Sequence, residues 1–204
     1  MAKVKMSKKS TKIDMTAMCD VAFLLLSFFV MTSTAKVPEP LPVDTPASTR
    51  ETKLPDTDLV TITVGDGKVF FGMVGQDVRA DALGRIAEKY KLTFTENETK
   101  LFSLIDGVGV PAGSLKGLIA LKSDERNKDG VQAGVPYDSI DNQLREWILA
   151  ARYATKDLHQ KELKVAIKGD AKEEYPTIKK VIDILQDQKI NKFFLVTGLR
   201  TEDF

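Results

Sequence analysis

One carboxylate stands where a chain can least accommodate it. Asp20 lies within Met15 to Ala35, MTAMCDVAFLLLSFFVMTSTA, the segment of membrane length in this sequence. Its 21 residues give about 31 Å of helix at ~1.5 Å per residue, which matches a bilayer core. A charged side chain there costs about 2.5–3.5 kcal/mol on insertion scales, so such residues face a partner or a water path and mark ion or proton handling. On a helical wheel Thr16, Asp20, Ser27 and Thr34 share one stripe, with Ala22, Leu25, Leu26 and Phe29 opposite. The seven-residue step from Asp20 to Ser27 to Thr34 is the seam of a helix that packs on another helix or lines a pore. The alternative is that the hydroxyls bond their own backbone, which any membrane helix tolerates.

Other reactive groups do not assemble into a site. His159 is the sole histidine, so a histidine-based metal cluster and a Ser-His-Asp triad both lack parts; the expectation is a solvent-facing residue at a helix end or in a loop. Cys19 is the sole cysteine, which excludes an internal disulfide and leaves a small apolar side chain in the helix. Gly107 to Gly113 is glycine-rich but lacks the spacing and strand-to-helix setting of a nucleotide loop. Asp124-Glu125 and Glu173-Glu174 read as solvated surface and Asp170 as a loop or cap residue. No enzyme, cofactor or metal is expected.

The net charge of +1 conceals an asymmetry. Residues 1–14 carry Lys3, Lys5, Lys8, Lys9 and Lys12 against Asp14, a net of +4, while the remaining 190 residues sum to −3. A lysine-rich arm before an apolar span keeps the N-terminus cytoplasmic and sends the bulk across. Nucleic-acid binding is a poor account of these lysines, because no aromatic or arginine-rich pattern accompanies them. A cleaved secretory leader is the rival reading, with Ser33 and Ala35 at cleavage-site spacing; Asp14 and Asp20, flanking the start of the apolar run, weigh against it.

The organisation beyond the arm follows from composition. Residues 15–35 form the transmembrane helix, and 36–57, with Pro38, Pro40, Pro42, Pro46 and Pro55, form an extended linker. Residues 58–204 form an α+β domain, a mixed sheet with helices on one face. Leu59 to Val64 alternates branched and polar residues, Gly65-Asp66-Gly67 turns, and Lys68 to Phe71 returns as a hairpin. A helix over Arg79–Tyr90 presents Leu83, Ile86, Ala87 and Tyr90. A second, Asp138–Thr155, is capped by Asp138 or Ser139 and buries Ile140, Leu144, Trp147, Ile148 and Ala151. Strand Leu163–Ile167, helix Tyr175–Gln186 opened by Pro176, and strand Phe193–Val196 suit a parallel pair with a helical crossover. Val181, Ile182 and Leu185 face inward.

Three stretches together resemble the ExbD/TolR family of bacterial inner-membrane energisers. They are Ile13 to Leu26 with its threonine and single aspartate, the hairpin from Leu59 to Gly72, and Val165 to Ala171 continuing through Tyr175, Ile178–Leu185 and Phe193–Thr197. Residues 95–136 look like an insertion relative to short members, and Leu41 to Ser48 is weakly similar to a linker segment some members use to pair. The resemblance implies a stator subunit that harvests the proton-motive force. Its dimer would sit in the pore of a pentameric multi-spanning partner similar to ExbB or TolQ, protons passing by way of Asp20. The motion would drive a protein similar to TonB or TolA in outer-membrane transport. Two alternatives stay open: a TolR-like subunit of the envelope system whose outer domain grips peptidoglycan, and a secreted binding domain released from its leader.

Overall fold

The computed structural model describes residues 15–33, 39–48, 53–128, 130–138 and 140–199. The lysine arm and Thr34 fall outside those residues. The chain divides between Val37 and Pro38 into two units.

The first unit holds α1, Met15–Thr32, which Ser33 extends by donating its N–H to the Phe29 carbonyl at 2.9 Å. Apart from half-buried Ser27, its side chains are exposed. A largely apolar helix of this length is long and apolar enough to cross a membrane.

In the second unit, β1 (Ala47–Ser48), β2 (Leu59–Gly65), β3 (Lys68–Met73), α2 (Gln76–Tyr90), α3 (Glu96–Ser103) and β4 (Gly107–Val108) come first. A 3-10 turn and the short helices α4 (Leu115–Ala120) and α5 (Ser123–Arg126) lead to α6 (Gln143–His159), β5 (Lys164–Gly169), α7 (Tyr175–Asp187), β6 (Phe194–Val196) and β7 (Gly198–Leu199). Five strands form a mixed sheet in the order β4-β3-β2-β5-β6; β2 is antiparallel to β3 and parallel to β5, which is parallel to β6. The α+β class, the hairpin and the parallel pair agree with the sequence reading.

The period-two alternation of the strands sorts the two faces. Val60, Ile62, Val64, Val69, Phe71, Met73, Val165 and Ile167 point into a core completed by Leu83 and Ile86 of α2, Leu144, Trp147 and Ile148 of α6, and Val181 and Leu185 of α7. Phe71 and Phe102 both lie against Trp147, with ring centroids 5.9 Å away in each case. Residues 95–136 contribute to this same core through Phe102, Leu115, Leu118 and Ile119, and to the sheet through β4. The turn between β2 and β3 has positive φ at both central residues, 52° at Asp66 and 67° at Gly67. That geometry matches the strand twist and explains the Asp-Gly pair.

The opposite face of the sheet carries Thr61, Thr63, Phe70 and Lys168. Part of the proline-rich segment lies over it. Val43 and Leu41 close on Gly65, Pro40 closes on Gly107, and Glu39 pairs with Lys168. The Ala171 N–H donates to the Asp44 carbonyl at 2.7 Å, and β1 pairs in parallel with β7.

Two helix starts differ from the sequence reading. α6 begins at Gln143, five residues later than expected, because the Asn142 side chain accepts the Arg145 N–H at 3.0 Å and acts as the cap. Tyr137 bridges Asn142 just before it, so Ile140 lies in the loop and is fully exposed, 100%, rather than in the buried stripe. Ser139 lies outside the described residues. α2 begins earlier, at Gln76, and buries Val78 and Ala82 ahead of Leu83 and Ile86, with Ala87 and Tyr90 only half-buried.

Candidate functional site

Two places bring chemically capable groups into a defined setting. The first is α1. Its 18 residues make about 27 Å of helix, and the threefold recurrence of polar groups on one stripe follows from ~3.6 residues per turn. Thr16, Asp20 and Ser27 are all on this helix; Thr34 and the five lysines of the arm are not among the described residues. The Ser27 hydroxyl donates to the Leu24 carbonyl at 2.8 Å, and Thr32 donates to the Phe28 carbonyl at 2.8 Å. Those donors are therefore satisfied within the helix, as hydroxyls in membrane helices commonly are. Asp20 has no hydrogen bond or ion pair with a described residue. A carboxylate has only acceptors to offer when ionised, so what α1 presents to its surroundings is one carboxylate on a largely apolar cylinder.

The second place is the corner where β2, α2 and α6 meet. Asp58 precedes β2 in the left-handed region, φ 57°, with its carboxylate buried at 5% exposure. His159, the last residue of α6, places Nδ1 on Asp58 Oδ1 and Nε2 2.8 Å from Asp77 Oδ2 on α2. Lys161 Nζ stands 3.4 Å from Asp58 Oδ2, and the Thr57 hydroxyl donates to the same oxygen at 3.2 Å. His159 is at a helix end as expected, but both of its ring nitrogens are engaged by carboxylates. The two carboxylates bond different edges of the ring, so the three residues form a chain, not a ligand cage.

The electrostatics follow from those bonds. Hydrogen bonds donated to Asp58 and then to Asp77 raise the His159 pKa above its ordinary value. Burial pushes the Asp58 carboxyl up, and the bonds from His159, Thr57 and Lys161 more than offset it, leaving the group below the usual range. Asp77 is lowered by His159 and by the Val78 N–H it accepts. Neither the cluster nor its members' partnership could be read from sequence, because His159 lies 101 positions from Asp58 and 82 from Asp77.

Elsewhere the acidic residues have ordinary duties. Asp170 accepts the Lys172 N–H at 2.8 Å, a loop role. Glu173 accepts the Gly67 N–H at 3.1 Å and so ties the hairpin turn to the start of α7. No group of three or more His, Cys, Asp or Glu suited to holding a metal occurs among the described residues.

A family model described as "Biopolymer transport protein ExbD/TolR" matches residues 6–199, nearly the whole chain. No curated protein and no solved structure matches it.

Proposed function

The chain belongs to the ExbD/TolR family of biopolymer transport proteins, and from that premise we propose that it is the stator subunit of an inner-membrane energiser, with Asp20 as the group that takes and releases the proton. The observation that carries this reading is a carboxylate without a partner among the described residues, on an apolar helix of near-membrane length. Proton binding removes the charge on Asp20. A transmembrane potential acts on that charge with ~2.3 kcal/mol per 100 mV, comparable to the ~2.5–3.5 kcal/mol cost of placing it in the bilayer. Potential and protonation therefore act on one group with similar force, which suits a helix that alternates between a charged, partner-facing state and a neutral one.

In this reading residues 1–14 stay cytoplasmic, 15–35 span the membrane, 36–57 connect, and 58–204 work in the periplasm. Two copies of α1 sit within a pentamer of a multi-spanning protein similar to ExbB or TolQ, whose polar surface meets Asp20 and relieves its exposure to lipid. The motion is delivered to a protein similar to TonB or TolA. The work is transport energisation, not enzymatic catalysis.

The experiment is Asp20→Asn in cells that depend on this chain. Asn matches Asp in size and still hydrogen-bonds, but it does not exchange a proton at physiological pH. Copurification of two copies of the chain with the multi-spanning partner is expected to survive, while proton-motive-force-dependent uptake of an outer-membrane substrate is lost. Uptake at the wild-type rate in an assembled complex would remove Asp20 as the carrier. Intact uptake with a failing outer envelope would assign the chain to the TolR-like role, and a mature protein beginning at Lys36 would establish the secreted alternative.

A further inference from the structure

The corner around His159 joins three elements that the sequence separates widely, and it sits where the proline-rich segment gives way to the sheet. Asp58 immediately precedes β2, the sheet's central strand, its carbonyl accepting the Lys164 N–H of β5 at 2.9 Å. It holds a left-handed backbone conformation that a non-glycine residue adopts at a cost, and it buries a carboxylate. Both features need the bonds that His159, Lys161 and Thr57 supply. His159 then reaches past Asp58 to Asp77, in the first turn of α2.

We propose that His159 is a proton-operated latch that fastens the first turn of α2 to the end of α6 and the start of β2, closed when the imidazole is protonated and open at Asp77 when it is not.

Donor count separates the two states. An imidazolium donates from both nitrogens, and here each nitrogen has a carboxylate oxygen to receive it. A neutral ring has one N–H. One carboxylate then faces a lone pair, which repels it. Burial decides which arm is released. Asp58, at 5% side-chain exposure, has no water to turn to, whereas Asp77, at 54%, has. The neutral ring therefore keeps Nδ1–H on Asp58 and lets go of Asp77. The charged and titratable groups facing the ring are Asp58 from the strand side, Asp77 from α2, and Lys161, through Asp58, from the segment after α6.

The raised pKa of His159 and the lowered ones of its partners fix the sign. The stability the histidine contributes is fully present below its unfolded value of 6.5 and is lost as pH rises through its higher folded value. What the two aspartates contribute is present above 3.8 and lost as pH falls through their lower folded values. The latch is therefore closed in mild acid and opens as pH rises through the raised folded value of His159.

The test uses the full chain in lipid nanodiscs. Because His159 is the sole histidine, its imidazole resonance titrates without a mutation. Amide exchange over Gly75–Arg79, corrected for its intrinsic pH dependence, reports the first turn of α2. A midpoint above 6.5, with exchange rising severalfold across the same interval, is the expected result. His159→Gln should fix the exchange at its fast, alkaline level at all pH. Asp77→Asn should move the midpoint down while leaving Asp58 bonded. A midpoint at or below the ordinary histidine value, or exchange that does not follow the midpoint in the wild-type chain, overturns the latch whether or not the variants fold.

Discussion

Gly109 lies so close to the ring of Phe70 that a β-carbon on it would sit 2.1 Å from Cε1. The backbone there has no room to retreat. The Gly109 N–H donates to Gln132 Oε1 at 2.7 Å, and its carbonyl accepts the Gly134 N–H at 2.6 Å. The glycine-rich stretch after α3 thus owes this glycine to a steric demand from the sheet's second face. Gly109→Ala is expected to destabilise the folded domain by about 1–3 kcal/mol through overpacking. Denaturant titration of the full chain checks this, and an unchanged midpoint would show that Phe70 swings aside freely.

The start of α6 makes a second, sharper prediction. Asn142 caps it and Asp138 does not. Asn142→Ala should cost about 1 kcal/mol, while Asp138→Ala and Ile140→Ser should change stability by less than ~0.5 kcal/mol, as exposed substitutions do. Equal losses at Asn142 and Ile140 would restore the longer helix.

These two cases show where the sequence was transparent and where it was not. Asp66-Gly67 between alternating apolar residues announces its hairpin, and Pro176 marks the first turn of α7, because both signals are local. Ile140 misleads because its spacing to Leu144 continues the apolar rhythm of α6 beyond the capped end. The capping box of α3 was there to be read: Thr95 accepts the Glu98 N–H at 3.3 Å and Glu98 accepts the Thr95 N–H at 2.7 Å, the Thr-x-x-Glu signature. Gly109 against Phe70 and His159 between two aspartates depend on which strands and helices meet. No local pattern encodes that.

On α1 the hydrogen bonds rank the polar positions. Ser27 spends its hydroxyl on the Leu24 carbonyl, so Ser27→Ala should cost no more than the ~0.6 kcal/mol average of an interhelical bond and leave transport near the wild-type rate. Asp20→Glu keeps the titrating group but lengthens it by one methylene, and partial uptake is expected. If Ser27→Ala abolishes uptake, its hydroxyl meets a partner in the working complex.

Topology is tested from outside. With a tag at residue 1, protease added to spheroplasts is expected to remove the domain beyond Asp58 and spare the tag, as the five lysines of the arm require. Digestion of the tag with survival of the domain would invert the chain and end the stator reading.

The central position of β2 has a consequence for how the domain comes into being. Its antiparallel partner follows within the same hairpin, but its parallel partner, paired from Leu59↔Lys164 to Val64↔Gly169, is synthesised roughly a hundred residues later. Until β5 appears, one edge of β2 has no neighbour and offers its N–H and C=O groups to any other chain. Ribosome-bound fragments ending before Lys164 should thus be more prone to association than those ending beyond Gly169, and the vulnerable interval in the life of this protein falls during its birth.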